Sequence, residues 1–133
     1  DSLMLAKIKK SGINPEPVAF PDHLPVESLQ IILVAEAAAA FDELTRNNED
    51  DMLVAQHRNA WPNIFRYSRF IPAVEYIQAN RLRTKLIQQM HKFMSDYDVV
   101  ITPSYGGNQL LATNLTGHPC AVIPSGFDGK PTR

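Results

Sequence analysis

A short polar loop near the end of the chain carries the side chains that are best suited to bind a ligand. It spans residues 103–109 and contains Tyr105, Asn108 and Gln109 around the glycines Gly106 and Gly107. The loop follows an apolar run that is typical of a buried strand, and loops at strand ends commonly hold binding groups. Glycine permits backbone conformations that other residues avoid, so the pair fits a binding loop and equally a plain surface turn.

His118 and Cys120 form the other pair whose residue types suggest a chemical role. They lie two residues apart, so on a strand they would share a face. Pro119 separates them, however, and no third residue that would orient the histidine is evident, so we expect Cys120 to pack as a small apolar side chain. The four histidines of the chain show no metal-ligand spacing and no Cys-x-x-Cys is present. The sequence therefore predicts neither a metal site nor a cofactor.

Three helices are expected to position these residues. They cover residues 1–11, 25–44 and 72–95. The first is expected to end at Gly12, and the other two to begin at Pro25 and Pro72, because proline fits the first helical turn. The third helix carries apolar residues at intervals of four, four and three, which is one helical stripe and predicts a core face. That stripe comprises Leu82, Leu86, Met90 and Phe93.

Short apolar runs between the helices predict strands. The predicted strands are residues 16–20, 98–102 and 121–124, and the last two contain unbroken apolar runs, as in strands buried on both faces. Residues 45–51 are polar and read as a surface loop. Residues 52–70 give a weak pattern, since Trp61 and Ile71 each precede a proline and should interrupt a helix. Helices alternating with short strands predict an α/β fold with a mixed sheet flanked by helices.

Composition excludes several classes of partner. The chain has 133 residues, 44% hydrophobic and 20% charged, with a net charge of −1, so no field of one sign attracts nucleic acid or an anionic membrane. The longest apolar stretch, residues 31–41, is interrupted by Glu36 and is too short to cross a bilayer. A single cysteine, Cys120, suits a reducing compartment, and we expect a cytoplasmic protein.

Four separated motifs, in order, resemble the amidase signature family of amide hydrolases. The motifs are residues 36–44 (EAAAAFDEL), 69–81 (RFIPAVEYIQANR), 97–104 (YDVVITPS) and 114–127 (NLTGHPCAVIPSGF). The resemblance covers essentially the whole chain and is nearest to amidases that are similar to the A subunit of the glutamine-hydrolysing amidotransferase. It identifies residues 1–133 as a C-terminal portion of an amidase domain, truncated at both ends, within a mixed α/β sheet fold.

The resemblance implies amide hydrolysis by a serine that is activated by a second serine, in a cis peptide, and by a lysine. The glycine- and serine-rich segment that carries these groups precedes the region that matches here, and no Gly-Gly-Ser-Ser run is present. A serine hydroxyl is a poor nucleophile without a neighbouring base. We therefore assign no catalytic residue to this chain and expect it to be inactive by itself.

The same resemblance implies which residues contact substrate. The loop residues Tyr105, Asn108 and Gln109 supply an aromatic face with amide donors and acceptors, which suit a neutral amide. Arg66 and Arg69 lie where an arginine of the amidotransferase subunit holds a substrate carboxylate, although a surface position is the default for both. The acidic residue that binds the substrate amine in those subunits has no counterpart at residues 107–109, which favours an amide other than glutamine.

Two functions from different classes remain open. In one, the chain supplies pocket walls and core to an amidase whose substrate is a small-molecule amide. In the other, it is a non-catalytic scaffold or partner subunit, and other amidotransferase subunits or a second copy of the chain are the candidate partners. Either function predicts exposed apolar surface on the isolated chain, so we expect residues 1–133 alone to be poorly soluble or oligomeric.

Overall fold

The computed structural model describes residues 2–21, 24–104 and 107–123. Within these residues every regular element is a helix. The α-helices are α1 (Ser2–Lys10), α2 (Gln30–Ala40), α3 (Asp42–Arg46), α4 (Trp61–Ser68), α5 (Ala73–Met94) and α6 (Gln109–Thr116). Two 3₁₀ turns, Val26–Leu29 and Glu49–Met52, precede α2 and follow α3.

The predicted mixed α/β sheet is wrong for the described residues, because they contain no strand. Residues 16–20, 98–102 and 121–123 are irregular, and Pro124 lies outside the described part of the chain. Val99 is 71% exposed and Val122 is 77% exposed, although both belong to runs that predicted buried strands. A strand is stabilised by hydrogen bonds and side-chain pairs with a neighbouring strand. No described segment supplies that neighbour, so the apolar runs lie at the surface.

The long third helix is confirmed. Helix α5 runs over 22 residues and Pro72 stands at its N-cap, as the sequence predicts. Leu86 and Met90 are buried, and Leu82 and Phe93 pack against the core. The stripe is therefore the face that α5 buries. Each fully buried side chain of this size contributes about 1.5–3 kcal/mol of transfer free energy.

The other predicted helices are confirmed in part. Helix α1 ends at Lys10, and Gly12 follows with a φ of +90°, a conformation that favours glycine. The predicted helix over 25–44 is instead a 3₁₀ turn, α2 and α3, with Phe41 (φ −106°) at the junction between the two α-helices. The predicted surface loop over 45–51 includes the end of α3 and the start of the second 3₁₀ turn.

Two short helices were not predicted. Helix α4 begins at Trp61, and Pro62 occupies its first turn, where a missing N–H costs nothing. The proline that was read as a helix breaker is therefore part of a helix start. Helix α6 begins at the last residue of the predicted loop, Gln109, and it ends before Gly117, whose φ of +73° is left-handed.

The core lies where α2, α5, α6 and the first 3₁₀ turn meet. Its buried members are Val26, Leu29, Ile32, Ala79, Leu86, Met90, Ala112 and Leu115. Polar contacts fasten the same helices at their edges. The hydroxyl of Tyr76 donates to Glu36 Oε1 at 3.0 Å, and Arg83 Nε donates to the carbonyl of Leu115 at 2.6 Å. The second contact brings a cation to the C-terminal end of α6, where the helix dipole favours it.

None of the helices in the described residues combines the length and the apolar character that crossing a membrane requires.

Candidate functional site

An open cleft of about 880 Å³ lies beside the start of α6. Its walls come from α1, residues 13–18, the end of α5, residues 96–103 and the first turn of α6. Ligand pockets are commonly of this size, with apolar walls and a few polar groups. The cleft is therefore the candidate site of this chain.

Asn108 and Gln109, two of the predicted substrate contacts, both line the cleft. Gln109 Nε2 donates to the carbonyl of Pro103 at 2.7 Å, which ties the beginning of α6 to the extended segment before the loop. Asn108 Nδ2 donates to Glu27 Oε1 at 3.2 Å. The two amide side chains are thus held at the cleft by contacts with different parts of the chain.

Gly107 supports this arrangement through its backbone. Its φ is +150°, and a Cβ at this position would lie 3.1 Å from Gln109 Oε1. An added methyl group would strain the backbone and also press on the side chain that closes the loop. Tyr105 and Gly106, the remaining predicted loop residues, lie outside the described part of the chain.

An acidic side chain adjoins Asn108 although the loop sequence contains none. Glu27 lies 81 residues earlier, in the 3₁₀ turn before α2, and the fold brings its carboxylate to the amide of Asn108. Sequence reasoning missed this residue because only local acids were considered. No local pattern links the two positions, so the three-dimensional fold was needed to find the pair.

The cleft also contains charged residues that the sequence did not single out. Lys9 contributes one positive charge, and Glu16, Asp96 and Asp98 contribute three negative charges. Asp98 belongs to the YDVVITPS motif and Asp96 immediately precedes that motif, so the motif is the one sequence feature that pointed to this wall. The four side chains are exposed to solvent.

The structure places Arg66 and Arg69 on and after α4, outside the lining of the cleft. Arg66 Nε lies 2.7 Å from Asp50 Oδ2, and Arg66 Nη2 lies 2.5 Å from Asp51 Oδ1. The carboxylate of Asp50, through hydrogen bonding, raises the pKa of Arg66. The structure therefore does not bring Arg66 together with Asn108 and Gln109, and its guanidinium is already held by two carboxylates.

Arg69 is held in a similar way. Its Nη1 lies 2.6 Å from Asp42 Oδ1, and Arg46 Nε approaches the other oxygen of the same carboxylate at 2.5 Å. The hydrogen bond from Arg46, helped by Arg69, lowers the pKa of Asp42. The Arg69–Asp42 pair fastens α3 to the end of α4, and a substrate carboxylate would have to displace Asp42 to reach Arg69.

A hydrogen-bond network organises the segment before α4. Gln56 Nε2 donates to the carbonyls of Asp50 at 2.9 Å and Leu53 at 2.8 Å, while Asn63 Nδ2 donates to the carbonyl of Gln56 at 3.0 Å. The network holds the irregular chain around the Asp50 and Arg66 pair. It explains how a stretch with a weak sequence pattern adopts a defined conformation.

In the described parts of the chain, no three His, Cys, Asp or Glu side chains are placed to hold a metal ion. Comparison with known proteins identifies no relative: no family model, no curated protein and no solved structure matches the chain.

Proposed function

We propose that this chain is part of an amide-hydrolysing enzyme of the amidase signature family and supplies one wall of its substrate pocket. The observation that carries the proposal is the set of four ordered sequence motifs. The position of Asn108 and Gln109 in the lining of one cleft supports it, because the resemblance assigned both residues to substrate contact.

The reaction consumes an amide and water and yields a carboxylic acid with ammonia or an amine. A carboxamide side chain has both donors and acceptors, so Asn108 and Gln109 are able to donate to a substrate carbonyl and accept from its N–H. The resemblance places the nucleophilic serine, its partner serine and the lysine outside residues 1–133. Under this proposal the chain binds and orients the amide, and other residues of the enzyme break the bond.

Release of ammonia by the product of the complete reading frame tests this proposal. The substrates would be glutamine, asparagine and simple aliphatic and aryl amides. We expect turnover of at least one amide, and loss of that turnover when the serine that matches the family nucleophile is replaced by alanine. A folded protein that releases ammonia from none of these amides would refute the proposal.

A second candidate function is a scaffold or partner subunit without catalytic activity. The observation that favours it is the number of large apolar side chains at the surface of the described residues. They include Phe70, Val74 and Ile77 around the start of α5 and Leu33, Phe41 and Trp61 on and near α2 and α4. Exposed apolar patches of this kind mark interaction surfaces. An inactive product that co-purifies as a defined stoichiometric complex would favour this function over the first.

A further inference from the structure

We propose that the cleft beside α6 selects an amide that has an apolar body and a protonated amine, and that it disfavours amides with a carboxylate. This inference rests on the proposed function and deepens it, because it names the substrate class of the same site. It is carried by the charge balance of the cleft together with the apolar character of its walls.

The apolar part of the substrate follows from the walls. Leu5 of α1, Val18 and Phe20 face the same cleft as Val99 and Ile101 of the segment that follows α5. Apolar walls favour an apolar ligand because contact removes both surfaces from water. A substrate without an apolar body would leave this surface exposed.

The positive charge follows from the polar groups of the cleft. Glu16, Asp96 and Asp98 outnumber Lys9, and none of the three acids forms an ion pair with another described residue. Glu27 does not line the cleft, but its carboxylate accepts a hydrogen bond from Asn108, which does. A ligand ammonium would lie near Glu16, Asp96 and Asp98, which form no ion pair with another described residue, whereas a ligand carboxylate would meet like charges.

Among the residues that the structure describes, no arginine lines the cleft to receive a carboxylate. The arginines that the sequence suggested for this task, Arg66 and Arg69, bind Asp50, Asp51 and Asp42 instead. Neither arginine lines the cleft. The charged residues of the cleft therefore favour a cationic ligand over an anionic one.

The test compares three probes that share one apolar body and differ in charge: 4-phenylbutylamine, 4-phenylbutan-1-ol and 4-phenylbutanoate. Their dissociation constants for the product of the complete reading frame are measured by calorimetry at low salt. We expect the amine to bind about tenfold more tightly than the carboxylate, with the alcohol between them, and the difference to shrink as salt screens the exposed acids.

Paired variants assign the preference to the cleft. The double variant Asp96→Asn with Asp98→Asn keeps side-chain size and removes two charges, so we expect most of the preference for the amine to disappear. The control is Glu75→Gln, which removes an exposed acid at the start of α5 that does not line the cleft. We expect it to leave the three constants unchanged.

Equal binding of the amine and the carboxylate, tighter binding of the carboxylate, or binding of none of the probes would overturn the inference. So would an unchanged preference in the double variant. These outcomes are distinct from failure of the proposed function, which is read out separately as the absence of ammonia release from every amide. An enzyme that hydrolyses amides with no charge preference would keep the proposed function and remove the inference.

Discussion

The two acids that Arg66 contacts through its guanidinium differ sharply in exposure. The side chain of Asp50 is 2% exposed and that of Asp51 is 69% exposed, while the side chain of Arg66 is 39% exposed. A charge that is removed from water needs a partner, so Asp50 depends on Arg66 more than Arg66 depends on Asp50. The residue that the sequence suggested for substrate recognition therefore has a structural task in this fold.

Replacing Arg66 by alanine is expected to destabilise the chain because it leaves the buried carboxylate of Asp50 without its cation. Arg46→Ala is the matched control, since it removes an arginine from an exposed pair with Asp42, and exposed pairs contribute little. Urea denaturation measures both. We expect the larger loss in the free energy of unfolding for Arg66→Ala. An equal loss in the two variants would show that the buried pair has no special weight.

Asp42 is expected to contribute a small pH dependence. Its pKa in the folded chain is lowered from 3.8, chiefly by the hydrogen bond from Arg46. A lowered pKa means that its contribution to stability is present above the unfolded value and is lost as pH falls through the folded value. Thermal melts from pH 6 to pH 3 should therefore decline less steeply below about pH 4 for Asp42→Asn than for the wild type. Identical slopes would contradict this assignment.

At the scale of elements, α5 is the feature that the sequence predicts best. Over its 22 residues, apolar side chains recur along one face for several turns. A periodic pattern of that length predicts a helix without knowledge of the neighbouring elements. The helices α4 and α6 each have eight residues, too few for a clear period, and α4 begins at a proline motif that also ends helices. The prediction of strands was wrong because a strand requires a neighbouring strand, which the local sequence does not specify.

The sequence predicted the residues of the candidate site only in part. Asn108 and Gln109 were found from residue type and from the loop between two motifs. Glu16, which lines the cleft, and Glu27, which contacts Asn108, were missed because both come from distant parts of the chain. Arg66 and Arg69 were suggested by their place in the sequence, but their neighbours in space are the acids of α3 and the following turn.

The buried face of α5 is expected to dominate the stability of the core. Leu86→Ala deletes a side chain that is 1% exposed, and such deletions cost about 2–5 kcal/mol. Ile87→Ala is the control, because Ile87 is the next residue on α5 and is 38% exposed. We expect a clearly smaller loss for the control in the same denaturation experiment. Similar losses would place Leu86 outside the core.

At the scale of the whole molecule, the chain exposes more surface than a compact monomer. Its accessible surface is 10548 Å², whereas a compact monomer of 14.9 kDa exposes about 7,000 Å². Large apolar side chains contribute to the excess, including Phe70, which is 86% exposed. Surface of this kind favours association, and both candidate functions provide a partner that would cover it.

Residues 1–133 on their own are therefore expected to associate. Size-exclusion chromatography with light scattering should detect oligomers or aggregates rather than a monomer. The double variant Phe70→Ser with Val74→Ser should reduce association, and Glu75→Gln, at the exposed residue that follows Val74, should not. A monodisperse monomer that melts cooperatively would contradict the expectation.

The central claim is that the cleft beside α6 binds the amide substrate of a hydrolase. The most direct measurement is kcat/KM for ammonia release by the product of the complete reading frame, with Asn108→Ala compared against Asn114→Ala. Asn108 lines the cleft, while Asn114 is an exposed residue of α6 outside it. We expect Asn108→Ala to lower kcat/KM about tenfold or more and Asn114→Ala to leave it unchanged. Equal activity of the two variants, or no ammonia release by the folded wild type, would contradict the claim.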